Sequence, residues 1–387
     1  MTLSIVSPRL LLIGGGCVGD LAGVLAKLSL RRPLLVTDPY MVSSGLLGRA
    51  TAPLAAAGTA YAVFSETVPE PTDQVVAAGV AILQAGDHDC LIAFGGGSPI
   101  DTAKAMAILF AAGGTLRARK VPVLNDAAAL PLVAIPTTAG TGSEVSRFTV
   151  ITDTETHEKM LIAGLAVQPL AALVDYELTL TVPPRVTADT GVDSLTHALE
   201  SYVSRHANPY SDAQALAAMR LIGANLRTAF AEPGNRAARE AMMTGATLAG
   251  LAFSNSSVAL VHGMSRPIGA HFHVPHGLSN AMLLPTVTRY GLAHAPARYA
   301  EAARQIGFAD TNASDETAAA QLASSLDALN RDLCVPTPAA FGIDAEQWES
   351  RLPLMAEQAL ASGSPANNPR VPDAAEIVDL YRAVWRP

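Results

Sequence analysis

Cys90-Leu91-Ile92-Ala93-Phe94-Gly95-Gly96-Gly97-Ser98-Pro99-Ile100-Asp101 joins an unbroken apolar run to three glycines and then to helix-starting residues. The run predicts a strand buried on both faces, and the glycines predict a backbone that passes close to something. Ser98 is placed to cap a helix, Pro99 to occupy its first turn and Asp101 to complete a capping-box spacing. Amides at such a start point outward at the positive end of a helix dipole, which suits a pyrophosphate. A well-capped helix that binds nothing satisfies the same pattern.

Outward from this stretch the first 180 or so residues repeat the theme. Leu10-Leu11-Leu12-Ile13 precedes glycines, Pro33-Leu34-Leu35-Val36 precedes Thr37-Asp38-Pro39, and Leu130-Pro131-Leu132-Val133-Ala134-Ile135 precedes Pro136-Thr137-Thr138. Apolar runs alternating with helical patterns predict βαβ units around a parallel sheet, whose strand ends bind ligands. Gly14, Gly16 and Gly19 match GxGxxG, and Asp38 stands at the end of the next strand, where an acid accepts from ribose hydroxyls. Two loops cannot hold one pyrophosphate in the same way, so it is assigned mainly to Gly95, Gly96, Gly97 and Ser98. Thr137 to Glu144 forms a third loop, dense in hydroxyls and exposed amides, able to bond a ribose, a phosphate or a nicotinamide, or to serve only as a turn.

After Val182-Pro183-Pro184 strand signals mostly vanish and Ala/Leu-rich helical spacing takes over. The chain therefore divides near 180, into an α/β dinucleotide-binding domain (1–180) and an all-helical domain (181–387). Half the residues are hydrophobic and only 16% charged, which excludes disorder. A net charge of −8 with scattered basic residues argues against nucleic acid and anionic membranes as partners. Three cysteines without a CxxC pair exclude a disulfide scaffold and a thiolate zinc site, and with no visible signal peptide the expected compartment is the cytoplasm. Ala241–Ser265 carries no charged side chain, but Ser254, Asn255, Ser256, Ser257 and His262 make it a poor membrane span and a good buried helix with a functional end.

Asp193 and His197 stand at i and i+4 on a helical pattern, one face presenting a carboxylate and an imidazole to a divalent cation. A surface Asp–His pair would look the same. Five of the nine histidines, however, fall at 197, 262, 271, 273 and 276, the last four around an uncharged stretch, and such a cluster points to metal.

The sequence Gly95-Gly96-Gly97-Ser98-Pro99-Ile100-Asp101-Thr102-Ala103-Lys104, with Ile135 to Glu144, Thr190 to Ala198, Pro275-His276-Gly277 and Asn368-Pro369-Arg370, resembles the iron-containing (group III) alcohol dehydrogenases in order and spacing along nearly the whole chain. The resemblance implies a dehydroquinate-synthase-like fold with a Rossmann-like N-terminal domain and a helical C-terminal domain. It implies a metal set of Asp193, His197, His262 and His276, and cofactor contacts at Gly95, Gly96, Gly97, Ser98 and Asp101, with Thr137, Thr138, Thr141 and Lys159 near the nicotinamide half. Asp38 matches the acid that favours NAD over NADP. Three imidazoles and a carboxylate suit ferrous iron and also zinc.

One helical turn past His262, where many members carry a second histidine facing substrate, this chain has Arg266. Arginine cannot relay protons near neutral pH, so His273, the cofactor ribose or water takes that part, while Arg266 either pairs with a carboxylate or selects substrates bearing negative charge or several oxygens. The implied activity is hydride transfer between NAD(H) and a small primary alcohol or aldehyde, the metal raising the acidity of the alcohol hydroxyl. An NAD-using cyclase or lyase on the same fold, and a non-catalytic NAD-binding regulator, are the rivals. The apolar composition and the family together imply a homo-oligomer built from dimers.

Overall fold

The computed structural model describes residues 2–156 and 158–385. A first compact unit runs to Thr181 and a second begins at Val182. All strands among the described residues lie in the first unit. β1 (Leu10–Ile13), β2 (Pro33–Val36), β3 (Ala62–Phe64), β4 (Cys90–Gly95), β5 (Leu132–Pro136) and β8 (Ala171–Val174) form one parallel sheet in the order β1-β8-β5-β4-β2-β3. Between them in sequence, β6 (Phe148–Thr152) and β7 (Lys159–Ala163) form a separate antiparallel pair.

The central strands β2, β4, β5 and β8 are buried at every position, which is why they read as unbroken apolar runs. Successive side chains still alternate between faces. Leu34, Val36, Leu91, Ala93 and Ala134 join Phe64 and Met106 in one core, whereas Leu35, Ile92, Phe94, Val133 and Ile135 join Leu21 and Leu173 in the other.

The strand order locates a candidate crevice. The chain proceeds from β2 outward to β3, then from β4 outward to β5 in the opposite direction, so connections part between β2 and β4. Ligands of open α/β sheets bind outside the carboxyl ends at that reversal. Asp38 follows β2, and Gly95-Gly96-Gly97 ends β4. The GxGxxG loop follows β1, an edge strand separated from β4 by β8 and β5. Its amides are already engaged: Gly16 N donates to Asp175 Oδ1 at 3.0 Å and Val18 N to Asp175 Oδ2 at 3.4 Å. A pyrophosphate there would meet a carboxylate, so the fingerprint on β1 is turn chemistry.

The helix after β4 begins two residues earlier than its sequence suggests. It spans Gly97–Ala112 with Gly96 at the N-cap and no side-chain cap, so Ser98 lies in the first turn and no capping box forms. The reason lies with Asp101, whose carboxylate turns away to accept from Ser143 Oγ at 2.5 Å and Val150 N at 3.0 Å. The helix start is left with amides that no protein side chain caps.

The second unit is helical, and no described helix is long and apolar enough to cross a membrane. The uncharged stretch Ala241–Ser265 is two helices, Arg236–Ser254 and Leu260–Phe272, instead of one. Asn255 and Ser256 bond back to the carbonyls of Leu251 and Ala252, the competition with helical bonding expected of short polar side chains. The Glu200 carboxylate then takes the amides of Ala259 and Val261 at 2.8 and 2.5 Å, which starts the next helix.

Candidate metal centre and cofactor loops

Three helices of the second unit carry the centre. Pro184–Val203 has Pro184 at its first turn and is buried almost throughout; it presents Asp193, His197 and Glu200 at i, i+4 and i+7, on one face. Leu260–Phe272 carries His262, and His276–Gly291 opens with His276 and continues to Asn280, again four residues on. Gly277 makes the approach possible, because a Cβ there would run into the backbone carbonyl of Asp189 and crowd Asp193. Any larger residue would push His276 away from Asp193.

Donor atoms of Asp193, His262 and His276 all lie within 4.8 Å of one another. Asp193 Oδ1 is 3.5 Å from His262 Nε2 and 3.8 Å from His276 Nε2. His197 stacks on His262 with ring centroids 4.4 Å apart, its Nδ1 3.9 Å from Asp193 Oδ1. Side-chain exposure separates them: Asp193 and His262 are 2% and 3% exposed, His276 37%, so the open side lies at His276.

Asn280 tests whether this set fits a cation. Its Nδ2 donates to Asp193 Oδ1 at 2.6 Å and lies 3.2 Å from both His262 Nε2 and His276 Nε2. Three lone pairs thus converge on one electropositive group that has only two hydrogens to offer. Asn280 Oδ1 is buried with no hydrogen-bond partner among the described residues. A converging set of one carboxylate oxygen and two imidazole nitrogens beside an unsatisfied carbonyl oxygen suits a divalent metal.

Glu200 fixes how His262 is presented. It sits 2.7 Å from His262 Nδ1, and an ionised carboxylate only accepts, so the proton is on Nδ1 and the Nε2 lone pair faces the centre. Burial would lower the His262 pKa, but hydrogen bonds to Asp193 and Glu200 raise it. Burial pushes the Asp193 carboxyl up; attraction to His197, His262 and His276 when these are protonated, together with the hydrogen bond to His262, outweighs this and holds it well below the carboxylate range.

Arg266 lies one turn past His262 and makes no ion pair within 4.0 Å among the described residues; it donates to Ser364 Oγ at 3.0 Å. His273 is exposed, in the left-handed conformation that ends its helix, outside the converging donors. His271 is held by Gln358 at 2.8 Å.

In the first unit, Gly95 has φ +151° and a Cβ on it would strike Pro99; a Cβ on Gly97 would strike Thr141. Gly95 is therefore required by its backbone conformation and the helix that follows, and Gly97 by the approach of the loop after β5, where Thr137 N donates to Gly95 O at 2.9 Å. Gly96, Gly97 and Ser98 remain partly accessible, as do Thr138 and Thr141. Thr137 Oγ1 is buried with no partner among the described residues. An uncapped helix start beside hydroxyl-bearing residues fits a dinucleotide's phosphates. Asp38 Oδ1 caps the helix Pro39–Ser43 through Met41 N, which leaves Oδ2 for a ribose. Lys159, on β7, is paired with Glu70 at 2.6 Å, and the Asp101 carboxylate is turned to Ser143 and Val150, so neither is held out as a free contact.

Glu200, Asn280 and Asp175 were not visible as site residues in the sequence. A signal existed for two of them: Glu200 continues the Asp193–His197 face, and Asn280 repeats that i, i+4 spacing from His276.

Residues 8–176 match the family described as iron-containing alcohol dehydrogenase, and 187–385 its C-terminal part. The chain is 37% identical over 374 residues to lactaldehyde reductase of Escherichia coli K12, covering 96% of this chain and 97% of that one. It is 36% identical over 386 residues to 1,3-propanediol dehydrogenase of Klebsiella pneumoniae, covering 99% and 95%. A crystal structure of 1,3-propanediol oxidoreductase superimposes with a TM-score of 0.94 at 35% identity, covering 99% of this chain and all of that one. With matched segments spanning both units, the chain belongs to the iron-containing alcohol dehydrogenase family, NAD- and metal-dependent oxidoreductases of alcohols and aldehydes.

Proposed function

We propose that Asp193, His197, His262 and His276 hold one divalent metal, iron or zinc, and that the enzyme interconverts a short primary alcohol and its aldehyde with NAD(H). The observation that supports it most is the convergence of Asp193, His262 and His276 on the Asn280 amide. When bound, the cation acidifies an alcohol hydroxyl or polarises a carbonyl, and the nicotinamide takes or gives the hydride. The chain's own part is to position. Gly95, Gly96, Gly97 and Ser98 offer amides to the pyrophosphate, Thr137, Thr138 and Thr141 line the adjoining loop, and Asp101 and Lys159 act through their bonded neighbours. Glu200 aims His262. With Arg266 unable to relay a proton, His273, exposed to solvent, is the residue available to do so.

The relatives act on lactaldehyde and 1,3-propanediol by name, which favours a short substrate with a second oxygen function. A panel of alcohols followed at the NADH absorbance band with the ferrous enzyme tests this reading. Steady NADH production supports a dehydrogenase; no net NADH from any alcohol, with product still formed, would indicate a cyclase or lyase.

Cofactor preference follows from Asp38. Its free oxygen accepts from ribose hydroxyls and repels a 2′-phosphate, worth roughly 1–3 kcal/mol. The expected result is a higher kcat/KM with NAD, narrowed in Asp38→Gly chiefly through tighter NADP binding. Equal efficiency with both cofactors in the parent would refute it.

Assembly as a homo-oligomer built from dimers is part of the same reading, supported by exposed apolar side chains such as Ile5, Tyr40, Val42 and Leu124. Light scattering is expected to give a multiple of 40.0 kDa, and a particle of that mass at micromolar concentration would contradict it. Free Cys17, Cys90 and Cys334 fit a reducing compartment, so we place the enzyme in the cytoplasm.

A further inference from the structure

We propose that Arg266 anchors an oxyanion on the substrate, so that the preferred substrates are short alcohols or aldehydes whose far end bears a carboxylate or sulfonate. This rests on the dehydrogenase reading above and names the substrate class it leaves open.

A guanidinium has five N–H donors and a fixed positive charge, and burying it without an acceptor for most of them is costly. Proteins meet that cost with a carboxylate or with several carbonyls. Arg239 in the same unit shows the ordinary solution: its guanidinium is buried and reaches Pro233 O at 2.9 Å, Thr187 Oγ1 at 2.8 Å and Val182 O at 3.2 Å. Arg266 differs. Among the described residues its one hydrogen-bond partner is a neutral hydroxyl, Ser364 Oγ, at 3.0 Å.

The nearby acid does not neutralise it. Glu200 attracts Arg266 through space, but its oxygens accept from Ala259 N, Val261 N and His262 Nδ1, and it lies beyond ion-pair distance from the guanidinium. Burial brings the Arg266 pKa down to about 10, which leaves it fully charged at neutral pH. The structure therefore holds a partly buried, permanent cation whose fork lacks an anion.

Its position says which anion. Arg266 stands four residues after His262 on the helix Leu260–Phe272, hence on the same face and about 6 Å along the axis. Ser364 fixes that side chain from the neighbouring segment Ser364–Asn367, which packs so closely on the helix that a Cβ on Gly263 would strike Pro365. A molecule whose reacting carbon lies at the His262 centre and whose other end lies a few bonds away brings that end within reach of the guanidinium. A carboxylate or sulfonate would accept a two-pronged, charge-assisted pair there. A plain alkyl end would leave the cation buried and unpaired, and discrimination would fall on the neutral substrate.

The test compares γ-hydroxybutyrate with n-butanol, and isethionate with ethanol, in the NAD-dependent direction, in the parent, Arg266→Gln, Arg266→Lys and Ser364→Ala. The parent is expected to favour the anionic member of at least one pair by about tenfold or more in kcat/KM. Arg266→Gln is expected to lower that ratio by about tenfold, carried by KM. Arg266→Lys, which keeps the charge but loses the fork, is expected to fall between, and Ser364→Ala to lower the ratio less than Arg266→Gln does. Calorimetric titration of the parent and Arg266→Gln with butyrate and with ethanesulfonate supplies a readout independent of turnover: binding in the parent, weakened about tenfold in the variant. The pair that responds tells carboxylate from sulfonate. A parent that prefers the neutral member of both pairs, or a ratio and a binding constant unchanged in Arg266→Gln, overturns the assignment. No turnover of any alcohol would instead overturn the dehydrogenase reading, and the titrations would still decide the role of Arg266.

Discussion

His262→Ala and His276→Ala are expected to lose bound metal and turnover together. Each substitution removes one of three donors that converge within 4.8 Å, while Asp193 and Glu200 stay buried with their charges. Removing one partner from a buried ionic set costs far more than the pair contributes, roughly 3–5 kcal/mol, because the charge left behind has no compensation. Metal affinity is expected to fall by several kcal/mol, enough to empty the site on dialysis at ordinary protein concentrations. Metal analysis of the two variants beside the parent decides it. Full metal content with near-normal activity in both would remove these residues from the centre.

Glu200→Leu is expected to be the most damaging substitution among residues that touch no metal. It strips acceptors from Ala259 N, Val261 N and His262 Nδ1 at once, and each buried donor left without an acceptor costs about 1–3 kcal/mol. Stability and metal retention are therefore expected to drop together. Glu200→Gln comes closer to separating the two effects: its carbonyl oxygen, placed as Oε2, still accepts from Ala259 N and His262 Nδ1, only Val261 N loses its acceptor, and the negative charge that orients the imidazole is gone. Metal affinity about 10–100-fold weaker in a variant that still folds cooperatively is the expected outcome. Parent-like metal affinity in Glu200→Gln would show that His262 needs no negative charge behind Nδ1.

The parts of the site that sequence made legible are those whose chemistry repeats at short range. Strands buried on both faces announce themselves as apolar runs, and glycine or histidine clusters need only a few neighbouring positions. What escaped depends on partners far apart in sequence. Asp175 neutralises the appeal of the GxGxxG loop, but it follows β8 and meets Gly16 only because β1 and β8 are neighbours. Asp101 looks like a capping residue until Ser143 and Val150 are placed beside it. The helix break at 255–259 is half legible, since Ser254 to Ser257 signal it, while the carboxylate that organises its far end comes from Glu200 on another helix.

The pairing of β1 with β8 also has a consequence in time. Leu10 pairs with Ala171, about 160 positions later, and β1 has no other neighbour in its sheet. At synthesis rates of roughly 5–20 residues per second the first strand to leave the ribosome waits on the order of 10–30 s for the strand it needs. β2, β3, β4 and β5 meet far sooner, and the Gly95 to Ser98 loop, proposed above to take the cofactor's phosphates, lies among them. Asp175 arrives with β8, so the same late event that seats β1 closes the Gly14 turn. The crevice between β2 and β4 is thus an early product of the growing chain, and the outer edge of its sheet is the last piece to be put in place.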